Sequence, residues 1–131
     1  MFLYRGTNQP QWLVTVQSPQ TLSAGSHKIT IDFVYDGGGL GKGANLVLSV
    51  DGKQVAQKRV ERTVLLRFSL DETWDVGEDT GTPVEFNIYD VPFKFNGELK
   101  KISVDLKQAN LTADDEKKLK DAEMFVELTR Q

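Results

Sequence analysis

Cysteine is absent from this chain. With it go disulfides, thiolate metal sites and thiol nucleophiles, and the redox compartment is left undetermined. There is one histidine, His27. With no second imidazole and no thiol, His27 reads as structural rather than as part of a Ser/His/Asp triad or a transition-metal site. A basic surplus is also missing: 16 Lys and Arg stand against 19 Asp and Glu, a formal charge of −3. That balance argues against nucleic-acid or anionic-membrane partners. No apolar run approaches membrane-spanning length, and residues 1–10 lack the basic-then-apolar order of a signal peptide, so the chain reads as soluble. Its 131 residues suit one domain, with a core that needs no metal or disulfide to hold it.

What the chain has is period-two alternation up to about residue 106. His27, Ile29, Ile31 and Phe33 fall on one side of a strand, with Lys28, Thr30 and Asp32 on the other. Residues 44–50 repeat the pattern with Leu46, Leu48 and Val50. Asp51-Gly52 then leads into a strand ending at Val60. Asp-Gly between two such runs predicts a type I′ hairpin, and a two-residue turn would set Leu48 opposite Val55. Further strands are expected at residues 64–70, 86–89, 93–95 and 99–106, with Pro92 marking an edge or bend. Some seven or eight strands with closely spaced turns predict an all-β antiparallel sandwich over residues 1–109.

Residues 110–131 break the pattern. Thr112 followed by Ala113, Asp114 and Asp115 predicts a capped helix with acid in its first turn, running to about Leu128. Leu119, Ala122, Phe125 and Val126, with Met124, give it one apolar side, which suits a surface helix docked on the sheet. The match of Asn110-Leu111-Thr112 to a glycosylation acceptor signals no more than an exposed helix start. The segment Asp36-Gly-Gly-Gly-Leu-Gly-Lys-Gly43 is not a phosphate-binding loop, because Gly43 stands where Ser or Thr is needed and a strand follows. Its glycines are expected to supply positive φ or to admit a neighbouring segment closely.

The run from Phe68 to Pro83 gathers Asp71, Glu72, Asp75, Glu78 and Asp79 around Trp74. Carboxylates so dense need water, a cation or basic side chains among them. A Ca²⁺ site is one reading, although the spacing is not that of an EF-hand. A solvated loop, or one paired with Arg59, Arg62 and Arg67, is the other and is favoured, so no cofactor is expected. Trp74, Trp12 and Tyr35 are the candidate ligand-binding aromatics, as stacking platforms for a carbohydrate, against the alternative that they pack within the fold. Nothing in so polar a stretch raises a carboxyl pKa for acid/base catalysis.

Over roughly residues 20–106 the wording of the sequence resembles the C-terminal, non-catalytic region of large bacterial arylsulfatases. The resemblance rests on residues 29–36, the Gly-rich loop, Val50-Asp-Gly-Lys-Gln-Val55, Val60-Glu-Arg-Thr-Val64, Ser69-Leu-Asp-Glu-Thr73 with Asp75-Val-Gly77, and residues 91–95. It implies half or more of a concanavalin- or laminin-G-like jelly roll that serves as an accessory domain. The family's Cys/Ser-x-Pro-x-Arg motif is missing, since Ser18-Pro19 lacks both the spacing and the arginine, so no catalytic residue carries over and the chain is not expected to be an enzyme. The implied partners are a sulfatase catalytic domain or a second copy forming a dimer, and the implied compartment is cytoplasmic or periplasmic. A free-standing carbohydrate-binding or protein-interaction module is the alternative.

Overall fold

The computed structural model describes residues 1–7, 9–64, 74–107 and 111–129, the last four without their side chains. The chain divides into two compact units, one made of residues 1–66 and 109–131 and the other of residues 67–108. Both are built from antiparallel strands, in three sheets altogether among the described residues, and one α-helix closes the chain.

In the first unit, β1 (Phe2–Arg5) and β2 (Leu13–Val16) form a hairpin in which Phe2 lies opposite Val16 and Arg5 opposite Leu13. A 3-10 turn at Pro10–Trp12 closes the connection. Strands β3 (Ile29–Tyr35), β4 (Ala44–Val50) and β5 (Lys53–Val60) make a second sheet in the order β3-β4-β5. The central strand shows why this sheet holds. Ala44, Leu46 and Leu48 are buried on one face, where they join Val60 of β5 and Val16 of the hairpin in a single core. Phe2, Tyr4, Val14, Ile31, Val55 and Ala56 pack around that core. Burying such side chains is worth about 1.5–3 kcal/mol each relative to leaving them in water, which makes β4 the anchor of the unit.

The β4–β5 turn is a two-residue turn with Asp51 at φ 51° and Gly52 at φ 81°, as Asp-Gly predicts. The expected register is corrected two residues further on. Val50 pairs with Lys53 and Ser49 with Gln54, but Leu48 faces Ala56 rather than Val55. Val55 is the extra residue of a β-bulge, and the bulge lets both Val55 and Ala56 reach the core instead of alternating away from it. Strand β3 pairs with β4 throughout, Ile31 with Leu48 and Phe33 with Leu46. Of the apolar residues set on its core-side face, Ile31 packs against the core, whereas Ile29 and Phe33 are exposed.

The helix α1 (Ala113–Thr129) starts where its cap predicts. The Asp115 N–H donates to the Thr112 hydroxyl at 3.2 Å, and the Asp115 carboxylate accepts from the Thr112 hydroxyl at 2.6 Å and the Thr112 N–H at 3.1 Å. This reciprocal capping box satisfies donors that the first helical turn leaves without partners. The expectation of an apolar stripe laid on the sheet needs correction. Leu119 and Ala122 are half-buried, Met124 and Phe125 are exposed, the Val126 side chain lies outside the described residues, and the first turn carries the buried Asp115.

In the second unit the described strands shrink to β6 (Glu78–Asp79) and β7 (Phe93–Lys94), paired Glu78 to Lys94 and Asp79 to Phe93. The strand expected at residues 86–89 is a turn. Ile88 N–H donates to the Glu85 carbonyl at 3.1 Å, and the Glu85 carboxylate takes the Asn87 backbone and side-chain amides, so local side-chain bonds displace a ladder. Residues 99–106 form no strand, and Ile102, Val104 and Leu106 are exposed rather than turned inward. The strand expected at residues 64–70 lies outside the described residues from Leu65 onward.

Candidate functional site

Three constellations carry the polar chemistry of the described residues. The first is the Gly-rich loop between β3 and β4. Arg59 on β5 spans the base of this loop, donating through both terminal nitrogens to the Asp36 carboxylate, with 2.8 Å from Nη1 to Oδ1, and at 3.3 Å to Asn45. That bidentate pairing holds the Asp36 carboxyl below and the Arg59 guanidinium above their ordinary pKa values. A Cβ at Gly43 would collide with the guanidinium and with the Val60 carbonyl oxygen, 2.8 Å away, so the close approach requires glycine. At the loop's tip the Tyr35 hydroxyl donates to the Gly39 carbonyl and accepts the Lys42 N–H at 3.0 Å.

Asp115 then fastens α1 to the same loop. It is the charged side chain that is buried among the described residues. Hydrogen bonds from the Thr112 hydroxyl, the Thr112 N–H and the Leu40 N–H keep its carboxyl pKa low. A Cβ at Gly39, where φ is +126°, would lie 3.4 Å from Asp115 Oδ1. The glycines therefore do what the sequence suggests, giving positive φ and room for a neighbouring segment, and the segment they admit is the helix start. The helix cap was legible from Thr112 and Asp115; its attachment to the loop had no sequence signal.

The second constellation lies at the opposite end of β3 and was missed. His27 Nδ1 donates to Asp51 Oδ2 at 2.7 Å, while His27 Nε2 faces the Ser23 carbonyl at 2.9 Å and the Ser23 hydroxyl at 3.3 Å. Lys28 N–H donates to Asp51 Oδ1 at 2.8 Å, and Asp51 N–H donates back to the Lys28 carbonyl at 2.8 Å. The residue types of a Ser/His/Asp triad thus meet around the one histidine. The bonding is nevertheless not that of a general base. The nearer partner of Nε2 is a carbonyl oxygen, which can only accept, so this nitrogen holds its proton instead of taking one from Ser23. The Asp51 carboxylate and then the Ser23 carbonyl raise the His27 pKa, and His27 and the Lys28 N–H lower that of Asp51.

The third constellation is the acidic run. Asp75 accepts the Thr80 hydroxyl at 2.8 Å and the Thr80 N–H at 3.0 Å. Asp79 accepts the Tyr89 hydroxyl at 2.6 Å, and that hydroxyl accepts the Val84 N–H at 2.8 Å. Glu78, on β6, is exposed. Asp71 and Glu72 lie outside the described residues, as does Arg67. Arg59 is engaged with Asp36. No group of three or more His, Cys, Asp or Glu side chains suited to a metal occurs among the described residues. Of the aromatic candidates, Trp12 is half-buried with its ring against Gly6, where a Cβ would come within 2.5 Å of it, and Tyr35 is committed to the Gly-rich loop. Trp74, in the second unit, is 77% exposed.

No protein-family model, curated protein or solved structure matches this chain. Among the described residues no helix is long and apolar enough to cross a membrane.

Proposed function

We propose that this chain is a non-catalytic accessory β-domain of an arylsulfatase-like protein, an incomplete concanavalin- or laminin-G-like sandwich that works by packing beside a catalytic body or a second copy of itself. The observation that carries this reading is the apolar surface of the second unit. Trp74, Phe86, Phe93, Phe95, Val104 and Leu106 are all exposed, and Pro83 is the buried residue among those described there. Single exposed apolar side chains are ordinary, but such a concentration suits an interface. The sequence resemblance supplies the parent family, and the hairpin and Gly-rich loop that carry it are well-formed parts of the first unit. The domain has no cofactor in this reading, and its acidic run is solvated, with Asp75 and Asp79 hydrogen-bonded to Thr80 and Tyr89.

The test is assembly together with activity. Mixed with an arylsulfatase core from the same genome, the chain should sediment as part of a larger complex, or as a dimer when alone. By itself it should leave an aryl sulfate chromogen intact, and Ca²⁺ should change neither that result nor the melting temperature. Turnover that follows the protein through successive purification steps, or a strict monomer that ignores the core, overturns the proposal. The exposure of Trp74 favours a second reading, a free-standing carbohydrate-binding or protein-interaction module. Quenching of tryptophan fluorescence by an oligosaccharide, lost in Trp74→Ala, would select it.

A further inference from the structure

We propose that Ser23, His27 and Asp51 form a proton-operated clasp that fastens the loop before β3 to the β4–β5 turn, closed while the His27 ring carries both of its protons and released when it loses one. The argument is one of hydrogen-bond inventory. Nδ1 faces a carboxylate oxygen at 2.7 Å and Nε2 faces a backbone carbonyl at 2.9 Å. Neither oxygen can donate. A neutral imidazole has one N–H and can satisfy only one of them, leaving a ring lone pair against an oxygen lone pair on the other side; the imidazolium satisfies both. The 3.3 Å separation from the Ser23 hydroxyl adds a weaker neighbour on the same nitrogen.

The charge around the ring agrees with this. From the β4–β5 turn the facing group is the Asp51 carboxylate; from the loop they are the neutral Ser23 carbonyl and hydroxyl; and Lys28 brings its backbone N–H to the far carboxylate oxygen. The folded pKa of His27 therefore stands above the ordinary value. The clasp's stabilisation is fully present below an unfolded pKa of about 6.5 and is lost as pH rises through the higher folded value. The turn itself does not depend on the ring. The Lys28 and Asp51 backbones remain paired, and the Lys28 N–H keeps Asp51 in place. Deprotonation should loosen residues 23–25 while leaving the hairpin intact, so the device is local and reversible.

Because His27 is the only histidine, its ring resonances report the clasp without ambiguity. An NMR titration of the full chain should place its midpoint above that of an unfolded peptide, and Asp51→Asn should bring it down towards the peptide value. Across the same interval the heteronuclear NOE of the Ser23, Ala24 and Gly25 amides should fall as pH rises, with the Val47 and Leu48 amides unchanged. In His27→Gln, which has no titrating ring, the loop should show one pH-independent NOE. A His27 midpoint at or below the peptide value, or loop amides that keep their order through the titration, would overturn the proposal.

Discussion

Residues 29–60 and residues 74–107 both alternate apolar with polar side chains, yet among the described residues only the first stretch builds a core. In the first, β4 is paired along its whole length on both sides, and a hairpin lies over it, so Leu46 and Leu48 lose their water. In the second, pairing among the described residues extends over two, Glu78 and Asp79 with Lys94 and Phe93. Punctuation explains part of the contrast. In the first stretch the glycines gather in the β3–β4 loop and at Asp51-Gly52, outside the strands, and the Asp51-Gly52 turn continues the ladder. In the second, Gly77, Gly81, Pro83, Pro92 and Gly97 leave short pieces around Glu78 and Phe93, while the uninterrupted run 84–91 is bent by the turn in which Glu85 takes both Asn87 amides. Alternation sets which face a side chain takes, but burial requires a neighbouring strand long enough to bring a second apolar row.

The sharpest test of this contrast is a truncation at the centre of the first stretch. Leu46→Ala removes the largest fully buried side chain and should destabilise the protein by about 2–5 kcal/mol, lowering the melting temperature of the first unit by some 10 °C or more. Calorimetry of the variant checks it. A loss under about 1 kcal/mol would mean that β4 is not the anchor and that the two stretches differ less than their burial indicates.

How much of this was legible varies with the range of the interaction concerned. The limits of β4, the Asp51-Gly52 turn and the start of α1 followed from local residue chemistry, because each depends on neighbours within a few positions. The bulge at Val55 did not, because it depends on both Val55 and Ala56 reaching a core that includes Val16, about forty residues away in the chain. The strands expected at residues 86–89 and 99–106 had the right alternation, but around the first of them the Glu85 carboxylate and the Tyr89 hydroxyl take the Asn87 and Val84 N–H groups locally. The His27 cluster was missed for a third reason. Asp-Gly marks Asp51 as a turn residue, although a side chain at positive φ in a hairpin turn can still reach back to the strand end beside it.

An intermediate effect is expected at the junction of α1 with the Gly-rich loop. Thr112→Ala removes the hydroxyl that accepts the Asp115 N–H and donates to its carboxylate, and should cost about 1 kcal/mol. The loss should appear as faster amide exchange in the first turn of α1 and around Leu40, with β4 and β5 unchanged. Equal acceleration throughout the first unit would show that the helix and sheet unfold as one body rather than opening first at the Asp115 fastening.

The smallest stability change is expected where the apolar side chains are largest and most exposed. Leu106 is 86% exposed and Phe86 64% exposed, so replacing either with serine removes little area from contact with protein and should change folding free energy by no more than about 0.5 kcal/mol. The same substitutions should act strongly on assembly, because an apolar side chain that gains nothing within its own chain can still gain about 25 cal/mol per Å² when a partner covers it. Paired measurements separate the two effects: thermal melting of Leu106→Ser and Phe86→Ser should overlay the parent curve, while sedimentation should show a weaker dimer or weaker binding to a sulfatase core. If melting falls by several degrees instead, the second stretch has an internal core after all, and its contrast with β4 is one of degree. If neither melting nor association changes, its apolar side chains serve no interface, and the accessory reading loses the observation on which it rests.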